Sequence, residues 1–300
     1  MPTPSTVAII GCGRWGATVA RKIDSLQPFR VTHVFDPSPG AATALLCDLN
    51  DAKYATSIRE AAQQVDCVVI ATPPHTDRVM QLATVLNAGV KRIRIEKPMA
   101  MSWEDARDMK RMADAAGASL SIGHTSVWNG LVYPLSRHVS VLHASRRLQQ
   151  IDFFRCCDRG PAHAVTPVWD LASHDVALHR AICGWAWREG PPEVIDGGED
   201  KHGTAWFQLE DGATFTASHT YPFTTRGVTI NGVSVYDEQR QTFMFDGTLL
   251  QGSLFDPLGA ELMAWAKGYV LPGSIGIDVV HVCEQAQMLI AERKMRSVVG

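Results

Sequence analysis

The sequence predicts two domains of different architecture: a doubly wound α/β domain with a parallel sheet over residues 1–123, and an α+β domain with an open, mainly antiparallel sheet over residues 124–300. Three observations predict this division. Short β-branched runs alternate with helical segments in the first part of the chain, whereas later strand-like runs are joined by turn dipeptides. The chain has 300 residues and is 46% hydrophobic, which is enough to bury two cores.

The composition argues against several classes of protein. A formal net charge of −3 leaves no basic stripe for a phosphate backbone, so we expect no nucleic-acid partner. No segment approaches the roughly 18 apolar residues of a membrane span, and the N-terminus lacks a signal-peptide pattern, so we expect a cytoplasmic protein without membrane contact. The seven cysteines include no C-x-x-C spacing, which favours buried thiols over a disulfide framework or a metal site.

The first predicted strand, residues 6–10, runs into G-C-G-R-W-G, and a helical segment follows over residues 17–26. In such a loop Gly11 would allow a tight turn, Gly13 would let the backbone approach a pyrophosphate, and Gly16 would permit close packing of helix on strand. The helix N-terminus would then face the phosphates, where its dipole and free N–H groups favour negative charge. Glycine clusters also form ordinary turns, but together with the second strand and its terminal Asp36 this order of strand, glycine turn and helix predicts a dinucleotide-binding Rossmann domain.

The second predicted strand, residues 31–35, ends in Asp36, which lies 20 residues beyond Gly16. A carboxylate at this position would accept hydrogen bonds from the adenosine ribose hydroxyls and would repel a 2′-phosphate. We therefore expect NAD as the cofactor, with NADP less favoured. Arg14 could contact the pyrophosphate and Trp15 could pack over the cofactor, although both could equally be surface residues.

Two further predicted strands end in residues that could reach the cofactor. The strand over residues 67–71 stops at T-P-P-H-T-D, and the strand over residues 90–95 stops at E-K-P. Parallel α/β sheets bind ligands at the carboxyl ends of their strands. The candidates for cofactor contact at these two strand ends are Thr72, Pro73, His75, Glu96 and Lys97. Of these, His75 could instead cap the following helix.

The second half of the chain predicts hairpins. The dipeptides Asp211-Gly212, Asn231-Gly232 and Asp246-Gly247 are hairpin-type links between strand-like runs. Two helices, over residues 257–269 and 277–293, close the chain. One face of such a sheet is available for helices or for another subunit, so we expect a homodimer or homotetramer formed through this sheet.

The stretch V-W-D-L-A-S-H-D places Asp170 and His174 four residues apart, on one face if the segment is helical. The pair could form a surface ion pair worth only a few tenths of a kcal/mol, a satisfied core histidine, or half of a proton-transfer group. Helical spacing alone leaves these alternatives open.

Five motifs together resemble the Gfo/Idh/MocA oxidoreductases: V-A-I-I-G-C-G-R-W-G, A-T-P-P-H, E-K-P-M-A-M-S, S-I-G-H-T and W-D-L-A-S-H-D. The resemblance covers essentially the whole chain, and that family combines a Rossmann domain with a C-terminal domain built on an open antiparallel sheet. The sequences of these motifs are most similar to those of the branch that includes UDP-N-acetylglucosaminuronic acid 3-dehydrogenases and related nucleotide-sugar enzymes. The resemblance implies an NAD(P)-dependent oxidoreductase acting on a hydroxyl or keto carbon of a sugar or nucleotide sugar.

The resemblance also implies a catalytic group made of Lys97, Asp170 and His174, with a cis peptide bond before Pro98. Oxidation of a sugar hydroxyl requires a base to remove its proton while hydride leaves the same carbon. His174 suits that role near neutral pH, with Asp170 orienting its ring or fixing the sugar. Lys97 would polarise the developing carbonyl, or would act as the base if burial lowers its pKa.

Other candidates have a structural alternative of comparable weight. His124 and Asn129 follow the last strand of the first domain and could contact substrate or the nicotinamide ribose, or could form an interdomain hydrogen bond. Trp169 could line the substrate pocket or could simply pack in the core. Arg159 and His163 could bind a carboxylate or phosphate, or could be solvated.

Three other functions are compatible with these motifs. A reductase of the same fold could use NADPH on a keto-sugar or another small carbonyl. An NAD-dependent redox glycosidase would release sugar without net change in NADH. A non-enzymatic NAD-sensing protein would need no catalytic lysine.

Overall fold

A computed structural model describes residues 3–159, 165–245, 247–251 and 256–299. Within these residues the strands are β1 Ser5–Ile10, β2 Phe29–Phe35, β3 Lys53–Tyr54, β4 Cys67–Ile70, β5 Arg92–Glu96, β6 Ser119–Gly123, β7 Ile151–Asp158, β8 Val194–Glu199, β9 Thr204–Leu209, β10 Thr214–Ser218, β11 Thr220–Ile230, β12 Val233–Asp237, β13 Thr242–Phe245 and β14 Thr248–Gln251. The α-helices are α1 Arg14–Asp24, α2 Pro39–Leu46, α3 Ile58–Ala62, α4 Arg78–Asn87, α5 Trp103–Ala115, α6 Val132–Ala144, α7 Ser173–Ile182, α8 Pro257–Ala266 and α9 Gly273–Val299. They form two compact units, one of residues 1–125 and 256–277, the other of residues 126–255 and 278–300.

The first unit is built on a parallel sheet in the order β3-β2-β1-β4-β5-β6. Its central strands are apolar runs buried on both faces, as expected when helices cover a parallel sheet. The strand order reverses direction at β1, and ligands of such sheets bind at that switch point. The predicted doubly wound Rossmann architecture is confirmed.

Local sequence explains why the helices of this unit begin where they do. The side chains of Ser57, Asp77 and Ser102 each accept a hydrogen bond from a backbone N–H in the first turn of α3, α4 and α5. Such caps satisfy N–H groups that have no acceptor inside the helix. Helix α1 has no side-chain cap; it packs on the sheet through Val19 and Ile23, which are fully buried.

Helix α8 returns to the first unit from late in the chain. Trp265 stacks on Phe29 of β2 with ring centroids 5.2 Å apart, and Glu261 forms an ion pair with Arg94 of β5. The predicted boundary after residue 123 does not include this returning segment. An apolar helix face shows that a helix packs on a core, but not which of two cores it joins.

The second unit is built on a sheet in the order β14-β13-β12-β11-β7-β10-β9-β8. Neighbouring strands are antiparallel except for the parallel pair β7 and β10, which confirms a mainly antiparallel sheet. Asn231 and Gly232 join β11 to β12 with φ values of 51° and 79°, the left-handed conformation that an N-G hairpin turn requires. Asp246 of the third predicted turn lies outside the described residues.

Two elements of this unit do not follow from the sequence pattern. Strand β8 contains Gly197 and Gly198, which weaken a strand signal, and it is held by pairing with β9. Helix α6 contains Pro134, a residue tolerated in the first turn because the N–H groups there have no intrahelical acceptor.

No α-helix in the described part of the chain combines the length and apolar character that a membrane crossing requires. All seven cysteines are free thiols, and all but Cys47 are buried, as the absence of a C-x-x-C spacing predicts.

Candidate active site

The glycine loop after β1 has the geometry of a dinucleotide turn. Gly11 has a φ of 96°, and a Cβ there would lie 2.7 Å from the backbone nitrogen of Thr72. A Cβ on Gly16 would lie 2.0 Å from the carbonyl oxygen of Gly11, so the helix approaches the strand more closely than any side chain allows. A Cβ on Gly13 would meet no described atom within 4 Å, and this residue is exposed. The backbone is therefore accessible to a ligand at Gly13, whereas it packs closely against neighbouring backbone at Gly11 and Gly16.

The N-terminus of α1 offers donors for an anion. Gly13 is the N-cap and supplies no side chain, so the first N–H groups of the helix have no acceptor within it. The first turn of α1 contains no acidic residue, and the positive end of the helix dipole lies there. Arg14 and Trp15 are exposed beside these N–H groups, with 44% of Trp15 accessible. This donor set fits a dinucleotide pyrophosphate.

Asp36 follows β2 and is tied to the glycine loop. Its Oδ2 accepts a hydrogen bond of 2.7 Å from the backbone N–H of Cys12, and its Oδ1 accepts one of 2.8 Å from that of Ser38. Each carboxylate oxygen keeps a further lone pair, so the oriented group can still accept from ribose hydroxyls. The glycine turn after β1 and Asp36 after β2 together form a dinucleotide cradle, and the residues of this cradle fit NAD.

Lys97 follows β5 directly, is half-buried, and precedes a cis peptide bond to Pro98, as the resemblance implies. The turn that carries Lys97 is contacted by Arg78, the first residue of α4, whose guanidinium is buried and donates to backbone carbonyls of that turn. Arg78 was not among the site residues predicted from the sequence. The only local signal was a cation directly after T-P-P-H-T-D.

Glu96 faces into the first unit. Its carboxylate pairs with Arg94, and Arg94 Nη2 also donates to Glu261 Oε2 at 2.9 Å. The pairing follows from strand geometry, because side chains two residues apart on a strand lie on one face. A Cβ on Gly123 would lie 2.6 Å from Arg94 Nη2, so glycine makes room for this buried cluster. Glu96 is 3% exposed, which favours a structural role for its carboxylate over the predicted cofactor contact.

His124 follows β6 and is 1% exposed. Burial lowers its pKa to about 3, and the positive charges of Lys97 and Arg94 act in the same direction. Neither ring nitrogen of His124 has a hydrogen-bond partner among the described residues. The imidazole is therefore neutral near physiological pH and retains an unused donor and an unused acceptor.

The T-P-P-H loop contains one buried and two exposed candidates. Thr72 is buried, and its hydroxyl donates to Gln81 Oε1 at 2.8 Å. Pro73 and His75 are exposed, and His75 lines an open cavity of about 520 Å³ together with Met101. The predicted capping of the following helix belongs to Asp77, whose Oδ1 accepts from the backbone N–H of Met80 at 2.9 Å.

In the second unit, V-W-D-L-A-S-H-D is not a uniform α-helix. Residues Val168–Ala172 form a π-helical turn, with the N–H of Ser173 bonded to the carbonyl of Val168, and α7 begins at Ser173. Asp170 lies within the wider turn, so the expected α-helical spacing from Asp170 to His174 is wrong in detail. Single π-turns inside helices frequently occur at functional sites.

Two partners of Asp170 come from outside its helix. Its Oδ2 accepts a hydrogen bond of 2.5 Å from Arg159 Nη1 and lies 3.1 Å from His219 Nε2. Arg159 and His219 are also bonded to each other through their backbones, because the N–H of Arg159 donates to the carbonyl of His219 at 2.7 Å. His219, which is buried directly after β10, was not among the site residues predicted from the sequence. His163, which was named with Arg159 as a possible ligand of a carboxylate or phosphate, lies outside the described residues.

His174 is half-buried at the start of α7, and the next residue, Asp175, is 2% exposed. Arg155 of β7 donates through Nε to Asp175 Oδ1 at 2.9 Å and also pairs with Glu238. Burial raises the pKa of Asp175 to about 6, although the Arg155 cation opposes this shift. The cluster fixes the first turn of α7, and with it His174, against the sheet.

Asn129 and Trp169 are buried within the second unit. Asn129 Nδ2 donates to Gln241 Oε1 at 2.9 Å, and Asn129 Oδ1 accepts from the N–H of Leu131 at 3.0 Å. Trp169 is 5% exposed. These positions favour packing, and the predicted substrate contacts stay predictions. Among the residues with described positions, no group of three or more histidine, cysteine or acidic side chains could hold a metal ion.

Comparison with known proteins agrees with the fold and the cradle. Residues 5–124 match the Gfo/Idh/MocA family model, described as an oxidoreductase family with an NAD-binding Rossmann fold. The myo-inositol dehydrogenase Hyg17 of Streptomyces leeuwenhoekii is 30% identical over 229 residues, which are 69% of this chain and 66% of that protein.

A 2,7-anhydro-N-acetylneuraminate hydratase of Escherichia coli (strain K12) is 31% identical over 128 residues, which are 42% of this chain. The matched segment spans 33% of the length of this and two further curated relatives. Among solved structures, UDP-N-acetylglucosamine 3-dehydrogenase GnnA from Acidithiobacillus ferrooxidans superposes with a TM-score of 0.75 at 21% identity, covering 96% of this chain and 98% of that chain. At this identity the superposition shows a shared fold.

Proposed function

Because the chain belongs to the Gfo/Idh/MocA oxidoreductase family, we propose that it transfers hydride between NAD and a hydroxyl or keto carbon of a sugar or nucleotide sugar. One observation carries the proposal: the carboxyl ends of the parallel strands β1, β2 and β5 lie at the same edge of the first sheet, which brings the dinucleotide cradle and Lys97 to that edge. The cradle consists of the glycine turn after β1 and Asp36 after β2. Two similar proteins, an inositol dehydrogenase and a UDP-sugar dehydrogenase, support a polyhydroxylated ring as the substrate class.

The residues that would hold the cofactor have separate tasks. The N–H groups at the start of α1 would bind the pyrophosphate, and Asp36 would accept hydrogen bonds from the adenosine ribose. The charge of Asp36 disfavours a 2′-phosphate, which is the basis for proposing NAD over NADP. When bound, NAD supplies the carbon that accepts the hydride.

The proposed acid–base group consists of Lys97, Asp170 and His174. As the substrate carbon loses hydride, an imidazole nitrogen of His174 would accept the hydroxyl proton. The ammonium of Lys97 would donate a hydrogen bond to the same oxygen and stabilise the negative charge that develops on it. Asp170, held by Arg159 and His219, would accept a hydrogen bond from a neighbouring hydroxyl of the sugar.

Neutral His124 supports the proposed role of Lys97. A second cation beside Lys97 would favour loss of the lysine proton, whereas a neutral imidazole adds no charge. The unused donor and acceptor of His124 also suit a contact with substrate or with the nicotinamide ribose, which is one of the two roles predicted for it from the sequence.

We also propose self-association through the second sheet. Large apolar side chains are exposed on three strands of this sheet, among them Phe223 of β11 at 71%, Phe245 of β13 at 45% and Leu249 of β14 at 57%, and contiguous exposed apolar surface is typical of interaction sites. Light scattering of the purified chain gives the mass directly, and a monomer at all concentrations would contradict the proposal.

The experiment that tests the proposed activity is a substrate screen with both cofactors. The purified protein is incubated with NAD or NADP and a panel of UDP-sugars, free sugars and inositols, and formation of reduced cofactor is followed by absorbance. We expect reduction of NAD by at least one member and a weaker response with NADP. Sugar release without net NADH would instead support the redox glycosidase, and NADP preference would contradict the role given to Asp36.

A further inference from the structure

We propose that Arg78 is a positioning residue, which fixes the backbone on both sides of Lys97 and joins it to the loop that follows β4. The functional consequence rests on the proposed role of Lys97, whereas the positioning itself is a property of the first unit alone. Nothing in the family motifs of the sequence points to Arg78.

The contacts of one guanidinium carry the proposal. Arg78 Nη1 donates to the carbonyl oxygen of Glu96 at 2.6 Å and also to that of Pro98. These are the residues immediately before and after Lys97. Arg78 Nη2 donates to the carbonyl oxygen of Thr72, in the loop that follows β4. One planar group therefore holds two loops at the ligand edge of the sheet.

Arginine is suited to this arrangement, and lysine is not. The guanidinium presents its N–H donors in a rigid planar fork, so carbonyls bound to it are fixed in direction as well as in distance. Arg78 is 3% exposed, and burial lowers its pKa to about 10, which still leaves it charged at neutral pH. Burying a cation costs desolvation energy that offsets much of what its contacts contribute to folding stability. Stability alone therefore does not explain why a charged Arg78 is buried against these carbonyls.

The loop before Arg78 is already fixed by other bonds. The Thr76 hydroxyl donates to the carbonyl of Pro73 at 2.7 Å, and Asp77 caps α4. The guanidinium bonds therefore add little to the local fold of that loop. What they add is a link to the turn that carries Lys97.

The test compares Arg78→Lys with a matched control, Arg92→Lys. Arg92 lies at the opposite end of β5 and also donates to a backbone carbonyl, that of Trp265 at 2.9 Å, but it does not contact the Lys97 turn. Arg78→Gln is measured in parallel, because it leaves no charge to bury if the lysine variant fails to fold. Circular dichroism and a cooperative thermal unfolding transition identify the folded variants.

The first readout needs no substrate. Reductive methylation of the whole protein followed by mass spectrometry gives the modification rate of Lys97 relative to exposed Lys201. We expect a severalfold change in this ratio in the folded Arg78 variant and no change in Arg92→Lys. An unchanged ratio in a folded Arg78 variant overturns the proposal, whatever the fate of the proposed function.

The second readout uses a substrate found in the screen. Misplacement of a catalytic group by about 1 Å can cost up to ~100-fold in rate, so we expect kcat to fall ~10-fold or more in the Arg78 variant with little change in substrate KM. Arg92→Lys should keep wild-type kcat at temperatures below its melting transition. Equal kcat in the wild type, Arg92→Lys and the folded Arg78 variants, with a normal Lys97 ratio, would reduce Arg78 to a structural residue.

Discussion

His124 should make the free energy of unfolding depend on pH in the acid range. Its pKa is about 3 in the folded chain, below the ordinary value of 6.5, because the ring is buried beside Lys97 and Arg94. Between these two values the unfolded chain binds a proton that the folded chain does not. The contribution to stability is therefore complete above 6.5 and is lost as the pH falls toward 3.

The size of the effect follows from the two pKa values. Each pKa unit corresponds to about 1.4 kcal/mol, and a solution at about pH 5 lies roughly one and a half units below the ordinary value. We therefore expect the wild type to lose about 2 kcal/mol between neutral pH and about pH 5 through this one residue. His124→Gln, which has no titrating ring, should not show that loss.

Urea unfolding at both pH values, followed by far-ultraviolet circular dichroism, measures this difference. The control is His75→Gln, which removes an exposed histidine from the same unit. The control should keep the acid sensitivity of the wild type, and His124→Gln should be less sensitive than either. Equal pH dependence in the wild type and His124→Gln would refute the placement of a neutral buried ring at this position.

The glycine loop and Asp170 provide two further predictions. Gly13→Ala should keep wild-type stability, because its Cβ meets no described atom, but it should weaken NAD binding measured by calorimetry. Gly16→Ala should weaken NAD binding and also lower the melting temperature, because its Cβ would overlap Gly11. Tight NAD binding by both variants would contradict the cradle. His219→Gln should raise substrate KM more than it lowers kcat, since His219 positions Asp170, which is proposed to bind a sugar hydroxyl. Unchanged steady-state kinetics would remove His219 from the site.

Most of the first unit could be predicted because its signals are local. The glycine turn, the apolar strand runs and the residue after each strand lie close together in the sequence, and the parallel sheet brings the strand ends to one edge. The return of α8 could not be predicted, because its apolar face fits either core. Arg78 was missed for a related reason: its partners are backbone carbonyls, which leave no trace in residue types.

The Asp170 region shows the same limit in the second unit. Spacing predicted an α-helical pair, but Asp170 lies in a π-turn and contacts Arg159 and His219 from other elements. Such contacts join residues far apart in the chain, so periodicity does not reveal them. The presence of Asp170 and His174 in one segment was predictable, whereas the partners that orient Asp170 were not.

We propose that Lys97 and His174 act in the chemical step while the cradle binds NAD independently of them. This separation of roles is tested most directly by measuring NAD affinity and turnover side by side in Lys97→Ala and His174→Ala, with a substrate from the screen. We expect near wild-type NAD affinity in both variants and turnover depressed by at least ~100-fold, the scale of losing one positioned acid–base group. Turnover at the wild-type rate in both variants would contradict the account.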